Sequence, residues 1–331
     1  MTQNKVLLYL EENKGSTVTG GQMAQKLNVS RTAIWKAIHK LIYEGHDIET
    51  LPNRGYRLKG DSDGLSIKLI QEYKRFNKIG RDIILLDSVD STNSYLKMLD
   101  DSSLDEGKVV ISNEQTAGRG RMGRQFLSNA NEGIYLSILL KPSLGVQNVQ
   151  LITILAAVSV RNAIKTVCNF APDIKWVNDL YANGKKLCGI LTEASISAEI
   201  GSVESVYLGI GINTGVVDNE IKNIATSVFE VTQKRGVRNQ LIAEILSELE
   251  EKYLAFYSKN EISEVISEYK HNLLYMNEEV TIRVNNQEMN AKIIDIDNSG
   301  ALIVSKNATG EKLRIISGEI VERPGGKTHE K

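Results

Sequence analysis

Ala117-Gly118-Arg119-Gly120-Arg121-Met122-Gly123-Arg124 lies between two apolar runs, Lys108–Ser112 and Ile134–Leu140, that read as strands. Gly118, Gly120 and Gly123 free the backbone to wrap closely around a guest, and Arg119, Arg121 and Arg124 bring planar guanidinium forks that match phosphate or carboxylate oxygens. The pattern implies an anionic ligand, although a flexible basic surface loop has the same composition. It lacks the Gly-Lys-Ser/Thr ending of a Walker A loop, and no helix follows it as in a Rossmann fingerprint.

Upstream, the strand Ile83–Leu86 runs into Asp87-Ser88-Val89-Asp90-Ser91-Thr92-Asn93-Ser94 and then a helix carrying Tyr95, Leu96 and Leu99. Ser91, Thr92 and Asn93 can cradle the polar head of a ligand; Asp90 or Ser91 can equally be a plain helix cap. Downstream, Asn148–Cys168 is an amphipathic helix with Leu151, Ile152, Leu155, Val158 and Ile164 as its stripe. Ile174–Val177 and Leu180-Tyr181 flank Asn178-Asp179, Asn183-Gly184 makes a type I′ turn, and Lys185–Glu193 returns as a strand. Lys186 and Asp179 thus fall on adjacent elements. A strand-edge Lys is commonly solvated and Asn-Asp is commonly a turn, but Leu187–Leu191 is apolar enough for a central strand. Gly209 and Gly211 interrupt the strand Val206–Asn213, permitting close approach of a ligand or another backbone.

The front of the chain has a different character. Residues 1–60 hold nine Lys/Arg against five Asp/Glu in a chain of net charge -1, so a polyanion should prefer this end. Thr19-Gly20-Gly21-Gln22 is a capping box opening a short helix with Met23, Ala24 and Leu27; Asn28-Val29 turns the chain. Ser30 caps a second helix, whose inward stripe is expected to be Ile34, Ile38, Leu41 and Ile42. Thr32, Lys36, His39 and Tyr43 fall on the opposite face, with Arg31 at the helix start and Trp35 on the flank. Ile48–Leu51, the turn Pro52-Asn53-Arg54-Gly55 and Tyr56–Leu58 read as a hairpin, the wing of a winged helix-turn-helix. That arrangement predicts DNA contact through Ser30, Arg31, Thr32, Lys36, His39 and Arg54, with the helix-turn-helix over residues 20–39. A protein-interaction cap is the alternative.

The fold class expected is α+β in 331 residues: the winged head over 1–62, a linker over 63–80, a mixed-sheet α/β domain over 81–274, a small C-terminal β-barrel over 275–323 and a disordered tail over 324–331. The two cysteines, Cys168 and Cys188, lack metal-site or disulfide spacing, which fits a reducing cytoplasmic compartment. No basic-then-apolar leader opens the chain and no apolar run is expected to reach membrane-spanning length, so no membrane partner is expected.

Ser91-Thr92-Asn93, Gln115, the glycine-arginine stretch, Lys175–Asp179, Lys186–Leu191 and Gly209–Asn213 together resemble the biotin–protein ligase family in residues, order and spacing. With the winged head, the chain is similar to the bifunctional members that also repress biotin operons. The resemblance implies that Ser91, Thr92, Asn93 and Gln115 hold biotin, and that Arg119, Gly120 and Arg121 close over its carboxylate and the adenylate phosphate. Lys186 is then the cation at the α-phosphate, and it joins both the biotin-binding and the catalytic set. Arg119, Arg121, Arg124, Trp176, Asn178 and Asn213 serve ATP or the adenylate, and Lys186, Arg121 and Asp179 serve catalysis. Asp179 is also the candidate for holding magnesium or orienting the incoming lysine. Implied cofactors are biotin, ATP and Mg2+; implied partners are the biotin carboxyl carrier protein of acetyl-CoA carboxylase, operator DNA and, when adenylate is bound, a second copy. Two positions depart from the family pattern: Val177 stands where Pro is common, and Phe126 where a Trp often follows the loop. A lipoate–protein ligase, and a transcription factor that senses biotin without catalysis, are the competing readings.

Overall fold

The computed structural model describes residues 2–43, 46–59, 63–99, 105–143, 145–197, 201–259 and 262–322; the expected tail, 324–331, lies outside them, as does the side chain of Tyr43. The head opens with a helix absent from the sequence reading, α1 (Thr2–Glu12), which turns Val6, Leu7 and Leu10 inward. The capping box forms as its residues demand: Gln22 N donates to Thr19 Oγ1 at 3.1 Å and Thr19 N to Gln22 Oε1 at 2.8 Å, starting α2 (Gly20–Leu27). Asn28, with φ 53°, ends it in the left-handed region that Asn tolerates. Ser30 Oγ accepts from Ala33 N to open α3 (Arg31–Tyr43), where Ile34, Ile38 and Leu41 are buried. Ile42, expected in the same stripe, is 37% exposed, and Ala37 is buried instead. At a hundred degrees per residue, Ile42 falls past the edge of the arc that those three define. β1 (Ile48–Leu51) and β2 (Gly55–Leu58) pair antiparallel, and Ile48 and Leu58 close a core that belongs to the head alone.

Residues 63–80 lie along the central unit. Ser66 caps α4 (Ile67–Tyr73), and Asn239 brackets the approach to it, accepting from Ser66 N and donating to Gly64 O, both at 2.8 Å. There follow β3 (Ile83–Leu86), α5 (Thr92–Leu99), β4 (Val109–Ser112), β5 (Gly133–Leu140), α6 (Val149–Cys168), β6 (Asp173–Lys175), β7 (Asp179–Ala182), β8 (Lys185–Ile196), β9 (Val203–Asn213), α7 (Val228–Thr232), α8 (Arg238–Lys259) and α9 (Ile262–His271). Seven strands make one mixed sheet in the order β3-β4-β5-β9-β8-β7-β6, with β3 and β4 parallel across the α5 crossover and the remaining pairs antiparallel.

Because strand side chains alternate, Leu208, Ile210 and Ile212 of β9 enter the core under α6 and α8, whereas Tyr207 packs on the other face with Leu96 of α5. α6 is long and apolar enough to cross a membrane, which corrects the expectation that no run reaches that length. Its apolarity has a local cause: Leu151 through Val160 are all buried, between the sheet on one side and α8 on the other.

The C-terminal strands β10 (Glu279–Val284), β11 (Gln287–Ile296), β12 (Leu302–Lys306), β13 (Lys312–Ile315) and β14 (Glu319–Glu322) form an antiparallel sheet in the order β13-β12-β11-β10-β14. The expected barrel is not closed, since β13 and β14 are the two edges. Closure is unnecessary here: Val280, Ile282, Ile293, Leu302, Val304 and Ile320 belong to the same core as the central unit, which covers the sheet's apolar face.

Candidate active site

Gly209 and Gly211 fall on the face of β9 away from α6, and Gly189 of β8 stands directly beside Gly211. Three positions without a Cβ leave that part of the sheet low, and a cavity of about 330 Å3 opens above it. Its size is within the range of small-molecule sites. Phe126 uses the same relief: a Cβ at Gly211 would meet its ring at 2.6 Å, and one at Gly189 at 3.3 Å. The ring also meets Tyr135 edge-on, with centroids 6.4 Å apart.

At one end stands a buried polar cluster built from the start of α5, where Ser91 caps the helix. Thr92 donates from N and Oγ1 to Gln115 Oε1 at 2.9 and 3.1 Å, and Gln115 Nε2 donates to Ser128 Oγ. Ser137 Oγ lies 2.7 Å from Thr92 Oγ1 and 2.6 Å from Asn93 Oδ1, while Asn93 Nδ2 donates to Glu193 Oε2 at 2.9 Å. These groups are held in fixed orientations before any ligand arrives. Burial pushes the Glu193 carboxyl upward, yet hydrogen bonds from Lys97 and Asn93 and the Lys97 and Arg119 charges hold it below the usual carboxylate range.

The glycine-arginine stretch arches over the cavity as a small hairpin in which Phe126 N donates to Gly118 O and Gly120 N to Arg124 O, around a tight turn at Arg121–Gly123. Its glycines are not equivalent. Gly118 lies under the Phe126 carbonyl and Gly123 has φ 73°, whereas a Cβ at Gly120 would meet nothing nearer than 3.4 Å. Arg119 reaches Ser94 Oγ at 3.3 Å and Glu193 Oε1 at 3.2 Å. Arg121 Nη1 donates to Asn178 Oδ1 at 2.9 Å, and Asn178 Nδ2 donates to Ile190 O, tying the loop to the sheet. Arg124 turns outward and grips Glu319 of the C-terminal sheet at 2.6 and 2.5 Å.

Lys186 Nζ sits 2.8 Å from Asp179 Oδ1, a buried atom to which it is not aligned as a hydrogen-bond donor. The pair lines the cavity with Lys175, whose ammonium lies 4.9 Å from the Tyr181 ring centroid. Burial lowers the Lys175 pKa, against the opposing pull of Asp179 and Glu319. Asn213 faces the same space and donates from Nδ2 to Thr226 O at 3.0 Å. Trp176 is 3% exposed, and its indole N–H donates to Gly300 O of the C-terminal sheet at 3.1 Å. The Trp176–Val177 peptide is cis.

The cavity is therefore polar at its α5 end, cationic over its middle and closed behind by the C-terminal sheet. All the residues expected for biotin, ATP and catalysis line it: Ser91, Thr92, Asn93, Gln115, Arg119, Gly120, Arg121, Arg124, Trp176, Asn178, Asp179, Lys186 and Asn213. The cluster also includes Ser137 and Glu193, and Gly318 and Glu319 line the cavity, none of them picked out from sequence. Ser137 carried a legible signal, as a polar residue in the middle of the apolar strand Ile134–Leu140; Glu319 carried none. The residues expected at DNA, Ser30, Arg31, Thr32, Lys36, His39 and Arg54, are all exposed on the head.

Residues 85–213 match the model of the Biotin/lipoate A/B protein ligase family, residues 2–57 an HTH domain and residues 275–323 the Biotin protein ligase C terminal domain. The Bifunctional ligase/repressor BirA of Bacillus subtilis is 33% identical over 317 residues, 94% of this chain and 97% of that protein. The chain belongs to the biotin/lipoate A/B protein ligase family. Another relative of the ligase, the Bifunctional ligase/repressor BirA of Escherichia coli, is 28% identical, covering 88% of this chain and 89% of that protein. Among solved structures, the biotin protein ligase from Aquifex aeolicus in complex with biotin and ATP superimposes with a TM-score of 0.63 at 30% identity, covering 73% of this chain and 99% of that one.

Proposed function

We propose that the chain is an ATP-dependent ligase that converts biotin to biotinyl-5′-AMP and transfers it to a lysine of the biotin carboxyl carrier protein of acetyl-CoA carboxylase. We further propose that its winged head represses biotin synthesis or transport genes from operator DNA. The observation that carries the ligase reading is the meeting, in one cavity, of the Thr92-Asn93-Gln115-Ser137 cluster with Arg119, Arg121 and Lys186. The bicyclic head of biotin offers ureido donors and an acceptor to such a cluster. Lipoate ends in a dithiolane that has no use for it, which favours biotin.

A carboxylate acylates poorly. Attack of the biotin carboxylate oxygen on the α-phosphorus of ATP breaks the bond to the bridging oxygen, expels pyrophosphate and leaves a mixed anhydride. Negative charge gathers on the α-phosphoryl oxygens, where Arg121 and Lys186 stabilise it by fixed electrostatics. The acceptor lysine amine then attacks the acyl carbon, AMP departs with the electron pair, and the amine sheds its proton. The hairpin over the cavity shields the anhydride from water between the two steps.

Among the described residues, no three His, Cys, Asp or Glu gather as a metal cage. Magnesium commonly takes one carboxylate and completes its shell with phosphates and water, and Asp179, a carboxylate lining the cavity in an ion pair with Lys186, would be the residue to hold it. The ion supplies charge neutralisation of the triphosphate. Two copies pair when adenylate is bound, and that pairing couples biotin supply to DNA affinity.

Biotin-dependent exchange of labelled pyrophosphate into ATP by the purified chain tests the ligase reading. Exchange with biotin and none with lipoate is the expected result. Exchange with lipoate alone would transfer the assignment to that acid, and no exchange with either would leave a sensor without catalysis.

A further inference from the structure

Trp35 stands on the outer flank of α3, 52% exposed as a residue, and His39, one turn on, packs against its ring with centroids 4.2 Å apart and planes at 53°. A large aromatic surface left in water is unfavourable and commonly marks a contact site. Its direction narrows the choice of partner. Five residues, or about 140° around the helix, separate Trp35 from Lys40, whose ammonium lies 3.7 Å from Asp87 of the central unit. Trp35 therefore faces away from the ligase body. Arg31 and Thr32 share the exposed arc with the aromatic pair and Lys36 stands at its edge on the Lys40 side, so a polyanion drawn to these cations would bring its own surface against the two rings.

We infer that Trp35 and His39 form an aromatic shelf that reads thymine methyl groups in the major groove of duplex DNA. The inference rests on the repressor reading. A major groove about 12 Å wide admits one helix, and the thymine C5-methyl is the base feature there that an apolar ring recognises. Arg31 and Lys36 supply attraction to phosphate irrespective of sequence, whereas the shelf supplies preference for thymine.

The test uses the full chain with biotin and ATP, and duplexes that the unaltered protein selects from a random pool. Replacing the selected thymines by deoxyuridine removes only the methyl groups. Trp35→Ala is expected to weaken binding about tenfold, the size of one lost base contact. Deoxyuridine should weaken the unaltered protein by a similar factor and leave Trp35→Ala unmoved, while Trp35→Phe should restore part of the methyl preference. A second readout needs no substitution. The chain has two tryptophans, and Trp176 is 3% exposed, so acrylamide-quenchable emission belongs to Trp35 and should be shielded by the duplex. Equal deoxyuridine penalties in Trp35→Ala and the unaltered protein, or undiminished quenching in the complex, would overturn the shelf. If Lys36→Ala loses affinity in that case, the repressor reading survives without it. If the unaltered protein selects no duplex, both fall.

Discussion

Replacing Gly209 by Ala places one methyl group where the cavity and the sheet meet. Gly209 pairs with Ser137 of β5 on one side and Leu191 of β8 on the other, so its backbone is not free to retreat. The new Cβ would stand 2.7 Å from Asn93 Oδ1 and 3.1 Å from its Cγ. Asn93 must give way, although it is buried and held by Ser137 Oγ at 2.6 Å and Glu193 Oε2 at 2.9 Å. Losing both contacts costs about 2–4 kcal/mol of stability, the second having a charged acceptor. At roughly 2–4 °C per kcal/mol for a unit of this size, the melting temperature should fall by about 4–16 °C. The displaced amide also lines the cavity, and on the proposed biotin reading one hydrogen bond missing from the complex should raise the Kd for biotin about tenfold. Calorimetric titration with biotin, and scanning calorimetry of the free protein, read the two effects separately. The decisive comparison is made in an Asn93→Ala background, where the obstruction is gone and Gly209→Ala should cost much less. An undiminished cost there would refute the proposed clash, and unchanged biotin affinity in the single variant would refute the placement of Asn93 at the ligand head.

Lys186→Gln should lower both biotin-dependent pyrophosphate exchange and transfer to the carrier by roughly 100-fold or more, the usual loss on removing one transition-state donor; loss of transfer alone would show that Lys186 acts only after the adenylate forms. His46 is buried beside Gly64, and that burial, together with the Arg238 charge, lowers its pKa to about 4 from an ordinary 6.5. The unfolded chain takes up a proton near pH 6.5 while the folded one resists it, so stability is full above pH 6.5 and declines as the pH falls toward 4, by roughly 3 kcal/mol in all. Denaturant melts of His46→Gln should lack that part of the acid sensitivity, and an unchanged pH dependence would locate the titrating group elsewhere.

The readable parts of this chain were those whose cause is local. The Thr19–Gln22 capping box, the wing hairpin and the turn at Asn183-Gly184 each depend on a few adjacent residues. Ser91 through Asn93 could be singled out from their crowding at a helix start, but a cap and a ligand cradle have the same residues; the long-range contacts to Gln115, Ser137 and Glu193 make the difference. Ile42 lies past the angular edge of the Ile34-Ile38-Leu41 arc, and how wide a buried arc becomes depends on what packs against the helix. The open C-terminal sheet was beyond a local reading for a related reason: alternation predicts an apolar face, and its covering by α9 and the central core depends on residues far away in sequence. The role of Arg124 likewise depends on Glu319, which lies 195 residues downstream.

The attachment of residues 63–80 to α8 has a consequence for the operator. Arg238, wholly buried, spans from Asp63 O at 3.0 Å to Asn113 Oδ1 at 2.8 Å, so the root of the head's tether is embedded in the body that holds the ligand. From Asp63 back to Lys59 there are four residue steps, at most about 14 Å of chain. That length alone bounds how far the head can stand from the body. In a pair of ligases the bodies themselves would act as a ruler, tolerating whole helical turns of spacer poorly and half turns not at all.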